Sequence, residues 1–331
     1  MKNSASNFMP NRRQVLGLGA VGTVAALGLA ACGTTNSTSP STGSAATSGS
    51  SSEDQVAELD ATAYDKLIAA GSTADDATIA ASTWAQKIKD AGSIRLGVVQ
   101  TSALFSLLNE KDGKLRGFDA GISQLLTRYI LGDESKAKTT QVTSDTRESV
   151  LENDQVDAVF ATYSITDDRK KVISFAGPYY QSQQSILVLA DNTDVTSVDD
   201  LSGKKVAVQS GSTGPSIMEE LVPDATLQEF KTDEEARNAL LQKRVDAYVI
   251  DRNMQLGAMI KQPGKYKLAG EPFGPVDPYG IGMPLDSDGV SFVNDFLKKI
   301  EDEGTWEELW KITIGDRAGV DEVPTPPTIG A

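Results

Sequence analysis

The chain has 331 residues, enough to bury a large core and, by length alone, to form two domains. Its formal net charge is −15, and since residues 1–31 hold the three cations Lys2, Arg12 and Arg13 and no acid, the rest carries −18, a balance unsuited to nucleic acid or to lying flat on an anionic lipid surface. Histidine is absent and Cys32 is the one cysteine, which excludes an intramolecular disulfide, Ser-His-Asp and Cys-His catalysis, and leaves carboxylates as a poor zinc set, so no metal or cofactor is expected.

In residues 1–31 basic side chains precede a Gly/Ala-rich apolar run from Val15 to Ala31, the layout of a signal peptide and slightly short for a membrane span. Leu29-Ala30-Ala31-Cys32 resembles a bacterial lipoprotein signal, which implies cleavage after residue 31 and a lipid on Cys32. The alternative is an uncleaved anchor with a chance cysteine; it is disfavoured because the chain's only cysteine sits where the signal needs it. Arg12-Arg13-Gln14 also looks like a twin-arginine export motif, although paired arginines occur in ordinary signal peptides. Residues 32–52 continue as an uncharged Ser/Thr/Gly tether, spanning about 25 Å by coil statistics. The expected location is the extracytoplasmic face of a bacterial cell membrane, held by lipid.

Residues 53–92 read as a helical extension in two segments. Val56, Leu59, Leu67 and Ile68 form one stripe, broken near Gly71, and Trp84 and Ile88 face inward on a second segment from Asp76 to Ala91. No chemistry is legible there. Ile94–Val99 is a strand, Asp112-Gly113 a turn, and Phe118, Ile122, Leu125, Leu126 and Tyr129 a helix face. Asp145 with Glu148 suggests a capping box, and Val156–Phe160 a buried strand.

Past that strand stand Thr162, Ser164, Thr166 and Arg169. Hydroxyls and a planar guanidinium at the carboxyl end of a strand suit capture of a small anion. Taken alone, the same residues describe a strand, a capped turn and a solvated basic helix start at least as well.

A second cycle begins after Leu189. Lys205–Val208 is a strand, and Ser210-Gly211-Ser212-Thr213-Gly214-Pro215 leads into a helix whose N-terminus is open to an anion, or is simply a capped helix. It is not a P-loop, because no lysine follows the glycines. Thr232 and Glu235 cap another helix, and Val245–Ile250 is a strand ending at Asp251. After Tyr279–Pro284 come a helix bearing Phe292, Phe296 and Ile300, a turn packed by Trp306 and Trp310, and a loose, proline-rich tail at 317–331. The β, α alternation argues for parallel sheet and an α/β fold.

Six segments carry a family resemblance: Gly113-Lys114-Leu115-Arg116-Gly117-Phe118-Asp119, Ser164-Ile165-Thr166-Asp167-Asp168-Arg169, Phe175–Tyr180, Asp200–Val206, Gly211-Ser212-Thr213 and Val245–Tyr248. In this order they resemble the polar amino-acid family of bacterial extracellular solute-binding proteins, over roughly Ile94 to Gly315. The resemblance implies a periplasmic-binding-protein-like α/β fold of two lobes, residues 93–187 plus 279–316 and residues 188–278, joined by a two-strand hinge that closes on ligand. It implies a monomeric binding protein that delivers a small-molecule amino acid to ABC permease subunits, rather than an enzyme.

Carried over by motif, Arg169 would clamp the ligand's α-carboxylate, with Thr162 and Ser164 bonding from the same lobe. Thr213 and Ser212 would meet that carboxylate from the second lobe, and Asp251 would hold the α-ammonium. Ser102 stands where the family usually has a stacking aromatic, and Val99 where a polar residue is common. Arg147 follows Thr143-Ser144-Asp145-Thr146, where glutamate/aspartate binders of the family carry an arginine that reaches the side-chain carboxylate; a surface arginine in a first helical turn is the alternative. The expected ligand is therefore glutamate or aspartate, with glutamine or asparagine next. Arg116 and Arg252 have no clear role. A dehydratase-like enzyme, with Glu148 or Asp251 as general acid, and a sensor ectodomain are the less favoured readings.

Overall fold

The structure, a computed structural model, describes residues 58–330. The expected signal peptide, Cys32, the tether and Val56 lie outside the described residues.

The extension forms three helices where two segments were expected: α1 (Ala61–Ala70), α2 (Asp76–Ala80) and α3 (Thr83–Ala91). Each starts at a side-chain cap. Asp60 accepts from the Thr62 and Ala63 amides, Asp75 from Thr78, and Ser82 from Ala85, and the Ser82 cap starts a new helix inside the second expected segment. The inward faces, with Tyr64, Ile68, Ile79, Trp84 and Ile88, enter the same core as Ile94, Leu96, Phe118 and Phe292. Trp84 Nε1 donates to the Asp157 carbonyl at 3.2 Å, and the Arg116 guanidinium spans Asp65 of α1 and Asp112, each at 2.8 Å. Arg116 thus fastens the extension to the body.

The strands are β1 (Ile94–Val98), β2 (Thr101–Ser102), β3 (Ser106–Leu108), β4 (Leu115–Arg116), β5 (Ala137–Gln141), β6 (Ala158–Phe160), β7 (Ser174–Leu189), β8 (Lys205–Gln209), β9 (Thr226–Phe230), β10 (Ala247–Asp251) and β11 (Tyr266–Met283). Eight of them form one sheet in the order β5-β1-β6-β11-β7-β10-β8-β9, and β2-β3-β4 form a small antiparallel sheet. Pairing is parallel within β5-β1-β6 and within β10-β8-β9, as the alternation of strand and helix predicts. Strands β7 and β11 are antiparallel partners of 16 and 18 residues, each about 50–60 Å at the usual rise. At one end β11 joins β6, at the other β7 joins β10, and the register slips between Ala269 and Phe273, Phe273 and Asp277, and Tyr279 and Ile281. The result is the two-lobed, hinged α/β architecture.

Strand alternation sets the layers. In the second lobe Val206, Val208 and Val249 face one apolar cluster, and Ala207, Tyr248 and Ile250 the other. Helices α4 (Phe118–Leu131), α5 (Arg147–Glu152), α6 (Gly214–Leu221), α7 (Asp233–Leu241), α8 (Arg252–Lys261), α9 (Gly289–Asp302) and α10 (Thr305–Trp310) cover them. The tail expected to be loose has no regular structure from residue 319 to 328, yet Val323 and Ile329 pack against the first lobe's core and the Gly330 amide donates to the Gly177 carbonyl at 2.8 Å. Among the described residues no helix is long and apolar enough to cross a membrane.

Candidate functional site

A cavity of about 220 Å³ lies between the lobes. Its polar lining includes Thr162 and Ser164 just past β6, Arg147 at the start of α5, Ser212 and Thr213 between β8 and α6, and Asp251 at the end of β10. Six of the seven expected ligand-binding residues therefore share one chamber at the carboxyl ends of strands. The seventh, Arg169, does not line it: its guanidinium stands behind Ser164, donating to the Ser164 carbonyl at 2.7 Å and to the Gly211 carbonyl at 2.8 Å.

Arg147 and Arg169 form one cationic wall. Both lie over the Tyr163 ring, at 4.0 and 5.2 Å from its centre, and both reach the Gly211 carbonyl of the second lobe, Arg147 at 3.2 Å. Arg147 also donates to the Ala161 carbonyl at 3.1 Å, while its buried Nε has no acceptor. Burial, and then the charge of Arg169, pull the Arg147 pKa down to about 10. The nearest acid to Arg169 is Glu148, at 3.5 Å. Two guanidiniums share neutral carbonyls and a single paired carboxylate, so the pole keeps a net positive charge that favours an anion.

The opposite pole is acidic. Asp251 is buried and accepts from Gln184 Nε2 and the Tyr279 hydroxyl, both at 2.6 Å. Asp277, also buried, accepts from the Thr213 hydroxyl at 2.6 Å. Burial, and then the nearby Asp277 charge, push the Asp251 carboxyl well above the usual carboxylate range. A cation beside it would relieve both effects. Ser212 Oγ donates to the Gln209 carbonyl at 2.7 Å and accepts from the Gly214 amide at 3.2 Å, so it tightens the turn into α6.

Several residues of the site escaped the sequence reading. Asp119, in the first turn of α4, lines the cavity, and its carboxylate accepts from the Thr162 amide and the Tyr179 hydroxyl, each at 2.7 Å. Burial pushes its carboxyl up to about 7. That bond secures Thr162 at a φ of 42°, a strained value for a β-branched residue and a common mark of functional sites. The Gly117-Phe118-Asp119 motif was the available signal. The Asp145/Glu148 capping box does not form: α5 begins at Thr146 without a side-chain cap bond, Asp145 accepts from Ser210 Oγ across the cleft at 2.7 Å, and Glu148 turns to Arg169. Val99 and Ser102 line the cavity as anticipated from their positions, beside Ala103, Phe105, Ile250 and Met254.

The geometry has relatives. Residues 94–314 match the profile of the bacterial extracellular solute-binding proteins, family 3. The chain is 37% identical over 226 residues to an ABC transporter glutamine-binding protein, GlnH, of Bacillus subtilis strain 168, covering 68% of this chain and 82% of that protein. It is 29% identical over 246 residues to the glutamate-binding protein GluB of Corynebacterium glutamicum, covering 71% and 83%. Among solved structures, an ancestral arginine-binding protein bound to glutamine superposes with a TM-score of 0.62 at 31% identity, over 68% of this chain and 98% of that one. With its two hinged lobes, its interlobe cavity and a profile match over most of its length, the chain belongs to the bacterial extracellular solute-binding proteins, family 3.

Proposed function

We propose that the protein captures a polar α-amino acid for an ABC importer, with glutamine as the ligand read first and glutamate second. The observation that carries this is the pair of opposed poles at one cavity, Arg147 on the first lobe, with Arg169 next to it outside the lining, and Asp251 on the second. A zwitterion needs both, and Arg147 and Asp251 come to the cavity from different lobes. Asp251 takes the ammonium. Arg147, which faces the cavity, takes the α-carboxylate, with Arg169 reinforcing it from behind Ser164; this divides the expected role of Arg169 between two arginines. Thr162, Ser164, Ser212 and Thr213 supply hydroxyls around them.

Glutamine leads because the more similar of the two curated relatives is a glutamine-binding protein, and because the two arginines converge on one point, the Gly211 carbonyl, and so act as a single anion site. Glutamate is favoured instead by the partnerless Nε of Arg147, a sign of a guanidinium short of counter-charge. Calorimetric titration with the twenty amino acids identifies the ligand, and Arg147→Met separates the readings. If Arg147 serves the α-carboxylate, the variant loses about 2–5 kcal/mol for glutamine and glutamate alike. Loss confined to glutamate assigns Arg147 to the side chain and reverses the order.

The raised Asp251 carboxyl is also what a general acid would need, so turnover of prephenate-like substrates is the assay that would reassign the protein as an enzyme. Outside the cell the monomer is held by lipid on Cys32 and passes its ligand to permease subunits in the same membrane. This rests on the sequence of residues 1–32. Mass spectrometry of membrane-extracted protein is expected to find Cys32 acylated at the N-terminus; residues 1–31 still attached would refute the anchor.

A further inference from the structure

The cavity has a second charged end, built from partners other than those of the first. It lies where α7 begins and α8 finishes and is lined by Thr232, Asp233, Glu234, Arg237 and Lys261. A surface groove adjoins it, and Thr101, Gln141, Glu234 and Lys261 line cavity and groove alike, so these four frame a mouth. Arg237 is buried and committed, its Nε bonded to Asp233 at 2.8 Å. Lys261, exposed at the mouth, makes no ion pair among the described residues. Its Nζ donates to the Thr101 carbonyl at 3.2 Å. That bond runs from the second lobe to the first, so the ammonium is placed only when the lobes are together. Although the residue as a whole is exposed, desolvation of its ammonium, and then the charge of Arg237, hold its pKa below the ordinary lysine value. One donor of three is used.

We propose that Lys261 is a specificity-determining residue: on closure it donates to the terminal side-chain oxygen of the ligand, a carboxamide or a carboxylate. The inference rests on the reading that an α-amino acid occupies the cavity with its α-groups at the Arg147–Asp251 end. The side chain then extends along Val99, Ala103, Ile250, Met254 and Ala258, a wall suited to methylenes, toward the mouth. A residue ten positions beyond Asp251, on the last turn of the helix that follows it, carries no local motif that would mark it for this task.

The test titrates glutamine and norvaline, which share α-groups and similar reach but differ in a polar or apolar terminus, against the wild type, Lys261→Met and Lys261→Arg. Norvaline is measured by displacement where its own heat is small. The expected result is a loss of about tenfold or more for glutamine in Lys261→Met, partial recovery in Lys261→Arg, and norvaline affinity unchanged within about twofold. Equal losses for both ligands would make Lys261 a strut that closes the cleft, and an unchanged glutamine affinity would make it a bystander; either overturns the proposal. If the wild type binds none of the twenty amino acids, the reading of the cavity fails first and takes this inference with it, a result distinct from a variant that merely loses selectivity.

Discussion

At the scale of single residues, the proposed ammonium site at Asp251 would link capture to pH. Burial and Asp277 favour its protonated form, and a ligand ammonium favours the ionised one. Binding at a pH below the raised pKa therefore releases a proton, and affinity rises with pH until that value is passed, then levels off. Calorimetry in two buffers of different ionisation enthalpy checks this: proton release should grow from alkaline to mildly acidic solution, and its absence would remove Asp251 from the ammonium site. Asp119 acts on stability with the opposite slope to an ordinary ion-paired carboxylate. Its folded pKa is raised to about 7, so the folded chain holds a proton that the unfolded chain gives up, and this contribution is fullest below about 4 and lost as the pH climbs through 7. Asp251 was legible in the sequence because a strand's last residue is a local property. Asp277 was not: it comes from β11, far along the chain, and only the pairing of β11 with β7 brings it beside Thr213.

At the scale of elements, closure depends on the turn between β8 and α6. Gly211 has a φ of 70°, and a Cβ there would stand 2.6 Å from Asp145 and 2.8 Å from the Ser144 backbone of the other lobe. Its carbonyl receives both arginines, and Ser210 beside it bonds Asp145. Gly211→Ala should prop the lobes apart while leaving each lobe's core intact. A drop in ligand affinity of about tenfold or more is expected, together with a larger radius of gyration by solution scattering in the presence of ligand, and a closed profile with unaltered affinity would contradict it. The sequence showed this turn as a helix start, and the polar run at 143–148 as another. Both are correct locally. Which acceptor each polar group finds is decided across the cleft, where Asp145 leaves its own helix for Ser210, and no periodicity encodes that choice. Arg169 illustrates the same limit, since its motif was visible while its place behind Ser164 depends on how the Ser164 carbonyl turns.

At the scale of the whole molecule, the helical extension supports the first lobe away from the cavity: no residue from 58 to 92 lines it. Trp84 is its anchor, packed with Phe292 at 6.2 Å between ring centres and bonded to Asp157. Trp84→Ala is expected to cost about 3–5 kcal/mol, a fall of roughly 10 °C in Tm, with ligand affinity little changed. A parallel loss of affinity, seen by titration well below the new Tm, would show the extension coupled to the cavity. The apolar stripes announced these helices, and the alternation of strands and helices announced the sheet, because both are properties of neighbouring residues.

The two crossing strands carry a consequence for how the chain is assembled. Because the path leaves the first lobe through β7 and returns through β11, the second lobe is a continuous stretch and the first is not. The first lobe's core needs Phe292, Phe296 and Trp306 from α9 and α10, which follow the second lobe in the chain. A nascent chain can therefore finish the second lobe while the first still lacks one wall. The half that bears the cationic wall is thus completed after the other, and the arginines gain their full setting only once α9 and α10 have followed the second lobe out.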